Sequence, residues 1–120
     1  MAVVREWGSR FVVYQVGGGA IKDFYGRTLF KLDGNKIRKF SGEVIYMLDG
    51  NYIKDFYGRY LYEFVGNQIK PWGGLFKYRI DGEYFKDYYG KYLYIFEGSM
   101  DKYELMAISL ILILKEEGEL

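Results

Sequence analysis

Hydrophobic and polar positions in this chain recur on a period set by glycine. Glycine stands at 18, 26, 34, 42, 50, 58, 66, 74, 82, 90 and 98, every eighth residue. Tight hairpin turns need the positive φ that glycine adopts routinely, so each of these glycines marks a chain reversal. The six or seven residues between reversals are the length of a short strand. Before the first of them lie Val3-Val4 and then Phe11, Val12, Val13, Tyr14 and Val16, arranged around Gly8-Ser9. The pattern predicts an antiparallel meander of ten strands from Gly19 to Phe96, and twelve with the N-terminal pair.

Two kinds of turn alternate, so the full repeat is sixteen residues long. One kind is Ile21-Lys22-Asp23-Phe24-Tyr25-Gly26-Arg27, which returns at Ile53–Arg59 and, more loosely, at Phe85–Lys91. The other is Asp33-Gly34, Asp49-Gly50 and Asp81-Gly82, varied to Val65-Gly66 and Glu97-Gly98. The fourth residue of each eight-residue unit is apolar with one exception: Ile21, Leu29, Ile37, Ile45, Ile53, Leu61, Ile69, Lys77, Phe85, Leu93. Three-residue turns with a bulged glycine would align these positions as one inward ring. The seventh residue (Phe24, Leu32, Phe40, Leu48, Phe56, Phe64, Trp72, Ile80, Tyr88, Phe96) has the wrong parity for that face and is expected in the turns. Around Lys77, Pro71 and the Gly73-Gly74 pair predict an irregular segment, in which a one-residue slip would bring Phe76 inward.

The glycine period ends at a different pattern, Leu105-Met106-Ala107-Ile108-Ser109-Leu110-Ile111-Leu112-Ile113-Leu114. Asp101 and Glu104 form a D-x-x-E capping signal before it, and Lys115 and Gly118 are stop signals after it. The expected helix runs from Lys102 to Glu117, apolar on every face, so it must be surrounded. Strands about 4.8 Å apart and tilted about 40° would close twelve into a barrel of radius roughly 12 Å, which a helix about 10–12 Å across would fill. Closure also removes the two exposed edges of the meander. The competing arrangement is an open curved sheet with the helix across one face. The expected fold is therefore an all-β meander of about twelve short antiparallel strands, closed as a barrel around a buried C-terminal helix. It forms one domain, with residues 1–98 as the meander and 99–118 as the helix.

Composition narrows the chemistry. The net charge of +1 gives no bulk attraction to nucleic acid or an anionic membrane, so a nucleic-acid partner is not expected. Cysteine and histidine are both absent, which removes disulfides, thiolate metal sites and the usual general base. No cofactor is expected. The segment Met1–Trp7 carries charges where a signal peptide has its apolar core, and the ten-residue apolar run falls short of the roughly 20 that span a bilayer. The expectation is a soluble, cytoplasmic protein.

Hairpins such as Ile53-Lys54-Asp55-Phe56-Tyr57-Gly58-Arg59-Tyr60-Leu61-Tyr62 resemble those of bacterial four-fold β-flower proteins, a family without an assigned activity; the resemblance covers residues 18–98. The ending Glu104–Leu114 resembles the terminal helix of tubby-like and LURP-one-like domains, which are twelve-stranded barrels filled by a C-terminal helix. That second resemblance implies peripheral binding of anionic lipid head groups. Eukaryotic tubby domains do this through basic residues on longer strands and loops, none of which matches a position here one by one.

Three candidate constellations follow from the residues. Asp23, Asp55 and Asp87 could serve as catalytic carboxylates or hard-metal ligands. An Asp before a tight turn more simply accepts backbone hydrogen bonds and faces Arg27, Arg59 or Lys91 across the hairpin. Repetition every 32 residues spreads the three around a barrel, which favours the turn role. Second, Tyr60 and Tyr62, Phe76 and Tyr78, and Tyr92 and Tyr94 flank the fourth positions and are expected to point outward. With Tyr52 beside Lys54 and Tyr84 beside Lys86, they would make an aromatic surface interleaved with cations. Third, Ser109 is expected to bond back to a carbonyl one turn earlier. The leading expectation is a non-enzymatic interaction module that meets an unknown protein partner or another copy of itself through Tyr60, Tyr62, Tyr78, Tyr92 and Tyr94. The alternative is peripheral membrane contact through Lys22, Lys54, Lys70 and Lys86. An enzyme comes third, because acid–base groups converge nowhere.

Overall fold

The computed structural model describes residues 1–120. Its elements in chain order are β1 (Ala2–Glu6), β2 (Val12–Gly17), β3 (Ala20–Asp23), β4 (Thr28–Asp33), β5 (Lys36–Lys39), β6 (Val44–Asp49), β7 (Tyr52–Asp55), β8 (Tyr60–Val65), β9 (Gln68–Pro71), β10 (Tyr78–Asp81), β11 (Tyr84–Asp87), β12 (Tyr92–Gly98) and α1 (Lys102–Glu116). Every strand pairs antiparallel with its neighbours in sequence, and β1 pairs with β12. The sheet is a closed barrel of twelve strands, so no open edge remains.

Two turn lengths alternate around it. At one mouth Asp33 pairs with Lys36 and Asp49 with Tyr52, which leaves two-residue loops led by Gly34 and Gly50 at φ 58° and 60°. At the other mouth the Asp23 carbonyl accepts from Gly26 N and Asp23 N donates to Arg27 O, a three-residue loop closed by a glycine at φ 82°. Beyond every longer loop but the one between β9 and β10 the register slips by one residue: Lys22 faces Thr28 but Ile21 faces Phe30, so Leu29 is extra. The same bulge makes Val13, Ile45, Leu61 and Leu93 extra residues.

This bulge corrects the expected inward ring. Ile21, Ile37, Ile53, Ile69 and Phe85 are fully buried as anticipated, but their partners inward are Phe30, Tyr46, Tyr62, Tyr78 and Tyr94. Leu29, Ile45 and Leu93 are only half-buried beside them. Half of the seventh positions move as well. Leu32, Leu48, Phe64, Ile80 and Phe96 join or flank the core, while Phe24, Phe40, Phe56, Trp72 and Tyr88 stay exposed in turns. The segment around Pro71 is irregular, and β9 and β10 pair through only two residues. Phe76 does not slip inward; Tyr78 takes that place.

The helix α1 threads the barrel from the two-residue-loop mouth to the other. Asp101 caps it, accepting from Glu104 N at 2.8 Å, while Glu104 accepts from Asp101 N at 2.9 Å. Met106 to Ile113 are buried without interruption. Ser109 donates to the Leu105 carbonyl at 2.7 Å, which satisfies the only buried polar side chain of that run. The molecule measures 36 × 35 × 25 Å, nearly circular and about as deep as fifteen helical residues are long, roughly 22 Å.

Candidate functional site

The structure divides the aromatic residues into three populations. The first lines the barrel at the helix C-terminal mouth. Tyr78 and Tyr94 are buried and Tyr62 is half-buried, so the expectation that these three face outward fails. The bulge turns Tyr62 and Tyr94 inward, and Tyr78, beyond the irregular β9–β10 loop, pairs with buried Ile69. Tyr94 Oη donates to Glu116 Oε2 at 2.8 Å and Tyr62 Oη to Glu117 Oε2 at 3.3 Å. Burial first, then the glutamate beside each, push Tyr62 and Tyr94 well above the ordinary tyrosine range. Tyr78 is pushed up to about 12 by burial, Glu117 and Glu116.

The second population covers the outer wall and contains two matching clusters. In one, Tyr60 stacks on Trp72 at 4.5 Å while Lys54 Nζ sits 4.7 Å from the Tyr60 ring centre and 2.8 Å from Asp49. In the other, Tyr92 stacks on Trp7 at 4.6 Å, with Lys86 4.4 Å from its ring and 2.9 Å from Asp81. The hydrogen bonds they donate to Asp49 and Asp81 raise the two lysines above their usual range. Lys70 lies 3.6 Å from Glu63 and 5.7 Å from the Phe76 ring. Lys22, on β3, has no ion pair. The four candidate lysines thus stand on alternate or more distant strands of the wall and do not converge. Three of them are already neutralised, and Tyr60 and Tyr92 have occupied faces.

The third population was missed in the sequence. All six longer loops emerge at the helix C-terminal mouth, and besides the stacked Trp7 and Trp72 they carry Phe11, Phe24, Tyr25, Phe40, Phe56, Tyr57, Leu75, Tyr88 and Tyr89 as exposed side chains. Tyr25 and Tyr57 are about four-fifths exposed, Leu75 is 87% and Tyr89 92%. Three edge-to-face dyads, Phe24–Tyr25, Phe56–Tyr57 and Tyr88–Tyr89, stand on alternate loops with ring centres 5.2, 5.5 and 5.7 Å apart. The signal that could have found this rim is topological. In a meander every second turn lies at the same end, so residues 32 apart share a mouth.

Asp23 and Asp55 hold the dyad loops in shape. Asp23 Oδ1 accepts from Tyr25 N and Arg27 N, and Oδ2 from Arg27 Nε at 2.7 Å; Asp55 does the same with Tyr57 and Arg59. Desolvation raises both carboxyls, but the Arg27 or Arg59 backbone and guanidinium bonds outweigh it and hold each below the usual carboxylate range. Such carboxylates are turn clamps and poor bases. No group of three or more acidic residues could hold a metal ion, and no helix is long and apolar enough to cross a membrane.

Inside the rim the helix ends at Glu116, with Glu117 as its C-cap and Glu119 beyond it. Between the β9–β10 and β11–β12 loops lies a cleft of about 490 Å³, walled by Leu75, Phe76, Tyr88 and Tyr89 with Asp87 and Glu117 among its polar groups. Lys77 Nζ reaches Glu117 at 3.1 Å at its edge. No family model, curated protein or solved structure matches the chain, so the functional reading rests on this geometry.

Proposed function

We propose that this protein is a non-enzymatic, cytoplasmic docking module that engages a protein partner through the aromatic rim at the helix C-terminal mouth. One contrast carries the reading. Wall rings are stacked and capped within the chain, whereas Phe11, Leu75 and the three dyads project from loops at one mouth and stay mostly exposed to solvent. Exposed apolar side chains gathered at one end of a fold are what a binding surface presents.

Charge separates the partners this rim would accept. Glu116 beside Tyr94, Glu117 paired with Lys77, and Glu119 near Tyr46 lie inside it. Face-to-face contact with a second copy would bring two acidic centres together, and an anionic bilayer would meet the same repulsion. The lipid alternative also has three of its four lysines, Lys54, Lys70 and Lys86, already paired on the wall, and only Lys22 free. A partner surface with basic groups fits best.

The test is site-specific photo-crosslinking in cells that produce the protein natively, comparing Tyr57 on the rim with Lys36 near the opposite mouth. Discrete heavier adducts from Tyr57 alone are expected. Adducts from both sites alike, or from neither, would overturn the reading, and an adduct of twice the chain mass would replace it with self-association.

A further inference from the structure

The three dyad loops share one backbone, with Gly26, Gly58 and Gly90 at φ 82°, 83° and 87°. In the first two, an arginine completes the loop in two ways. Arg27 Nε donates to Asp23 Oδ2 at 2.7 Å while its guanidinium lies 5.6 Å from the Tyr25 ring centre. Arg59 repeats this with Asp55 at 2.6 Å and Tyr57 at 5.7 Å. The third loop has Lys91 at the corresponding position, and Lys91 does neither. Asp87 Oδ1 accepts from Lys91 N at 2.9 Å, but Oδ2 has no partner and no cation covers Tyr89.

Neighbouring cations do not fill the place. Arg79 reaches the loop from the wall, its Nη2 3.6 Å from where a Cβ on Gly90 would stand and its Nε 3.2 Å from Asp81 without a hydrogen bond, but it pairs with neither Asp87 nor the Tyr89 ring. Lys77 is engaged with Glu117. The vacant half-clamp opens on the 490 Å³ cleft, whose apolar wall of Leu75 and Phe76 would accommodate the chain on either side of an inserted residue.

We propose that the Asp87–Tyr89 loop is an arginine-binding site, which receives from a partner protein the guanidinium that the chain supplies to itself at its two sister loops. The inference rests on the docking reading of the rim and names the chemistry of its partner. A guanidinium suits the place better than an ammonium ion. Its planar fork donates to one carboxylate oxygen while its face lies on a ring, as Arg27 and Arg59 demonstrate.

The probe is N-acetylarginine methylamide, titrated into the full chain while backbone amide shifts are followed by NMR. The lysine and glutamine methylamides serve as comparisons. Shifts are expected at Tyr88 to Lys91 and at Leu75 and Phe76, stronger for arginine than for lysine, absent for glutamine, and absent at Tyr25 and Tyr57. Asp87→Asn should weaken binding about tenfold, the worth of one charge-assisted hydrogen bond. Lys91→Arg should do so as well while preserving the fold, because it would complete the clamp from within. Unchanged binding in Lys91→Arg, or equal shifts at all three dyads, would overturn the site. The same shifts on raising protein concentration without probe would assign the arginine to a second copy and overturn the partner. The crosslinking contrast between Tyr57 and Lys36 is independent of Asp87, so the rim reading can stand where this site falls.

Discussion

The Tyr94 hydroxyl donates a 2.8 Å hydrogen bond to Glu116 Oε2, tying the last strand to the last turn of the helix that follows it. The bond solves a local electrostatic problem. A helix C-terminus carries partial negative charge and favours cations, yet this one ends in Glu116 and Glu117. Phenol donors from Tyr94 and Tyr62, with Lys77 paired to Glu117 and Lys115 over the Tyr14 and Tyr94 rings, offset that cost. The acidic centre of the rim is thus held by the barrel's own tyrosines.

Alkaline pH should undo this arrangement. Tyr78 is pushed up to about 12, and Tyr14, Tyr46, Tyr62 and Tyr94 are raised too, with burial the leading cause in each. An unfolded tyrosine ionises near about 10. A raised folded value means the native state holds its protons more tightly, so the stabilisation is complete below about pH 10 and lost as pH climbs towards 12 and beyond. Tyrosinate absorbance should show these five of the fourteen tyrosines ionising only together with loss of the near-ultraviolet circular dichroism. Smooth titration of all fourteen in a folded barrel would contradict it.

The five tyrosines also mark where the sequence was legible and where it was not. The glycine period, strand number, capping box and surrounded helix all followed from spacing, because turn chemistry and hydrophobic run length are local properties. The inward face followed on β3, β5, β7, β9 and β11 but not on the strands after the longer loops, where a bulge shifts parity by a residue in all but β10. The corrective pattern was present all along: Tyr14, Phe30, Tyr46, Tyr62, Tyr78 and Tyr94 recur every sixteen residues. A hydroxyl invites an outward reading, and only the closed barrel places a glutamate within its reach. The rim was hidden for another reason. Parity placed Phe24, Phe56 and Tyr88 in the turns, and only loop length and closure together show that they stand exposed at one mouth.

The helix should behave as the core. Leu110 is fully buried at the centre of α1, and Leu110→Ala should cost about 3 kcal/mol in chemical denaturation, from lost transfer energy plus a residual cavity. Deleting residues 101–120 should abolish cooperative unfolding altogether, since the inner wall would then face water. A truncated chain that still melts cooperatively would show that the strands stand alone.

Closure should be vulnerable at Gly98. It pairs with Ala2 at the β1–β12 seam, has φ 96°, and a Cβ there would collide with the Met1 carbonyl oxygen. Gly98→Ala should therefore cost about 2 kcal/mol through backbone strain and displacement of β1. Amide exchange should accelerate first in β1 and β12, with β5 to β8 spared. Uniform acceleration through the whole barrel would mean that the seam does not open separately.

Lys77 stands where the other repeats place Val13, Leu29, Ile45, Leu61 and Leu93, and it departs from them in order to reach Glu117. Its side chain is half exposed, and such pairs contribute little to stability, so Lys77→Leu should shift it by no more than about 0.5 kcal/mol. Its effect on binding should be larger and of opposite sense to that of Asp87→Asn. Removing Lys77 releases the Glu117 carboxylate into the cleft beside Asp87, adding one unit of negative charge where the guanidinium would sit. At contact distance in water that is worth about 1 kcal/mol, so affinity for N-acetylarginine methylamide should rise about fivefold. The rise should shrink with added salt, since the cleft is open to solvent. A fall in affinity would mean that the probe enters from the wall side, past Arg79, without meeting the acidic end of the helix.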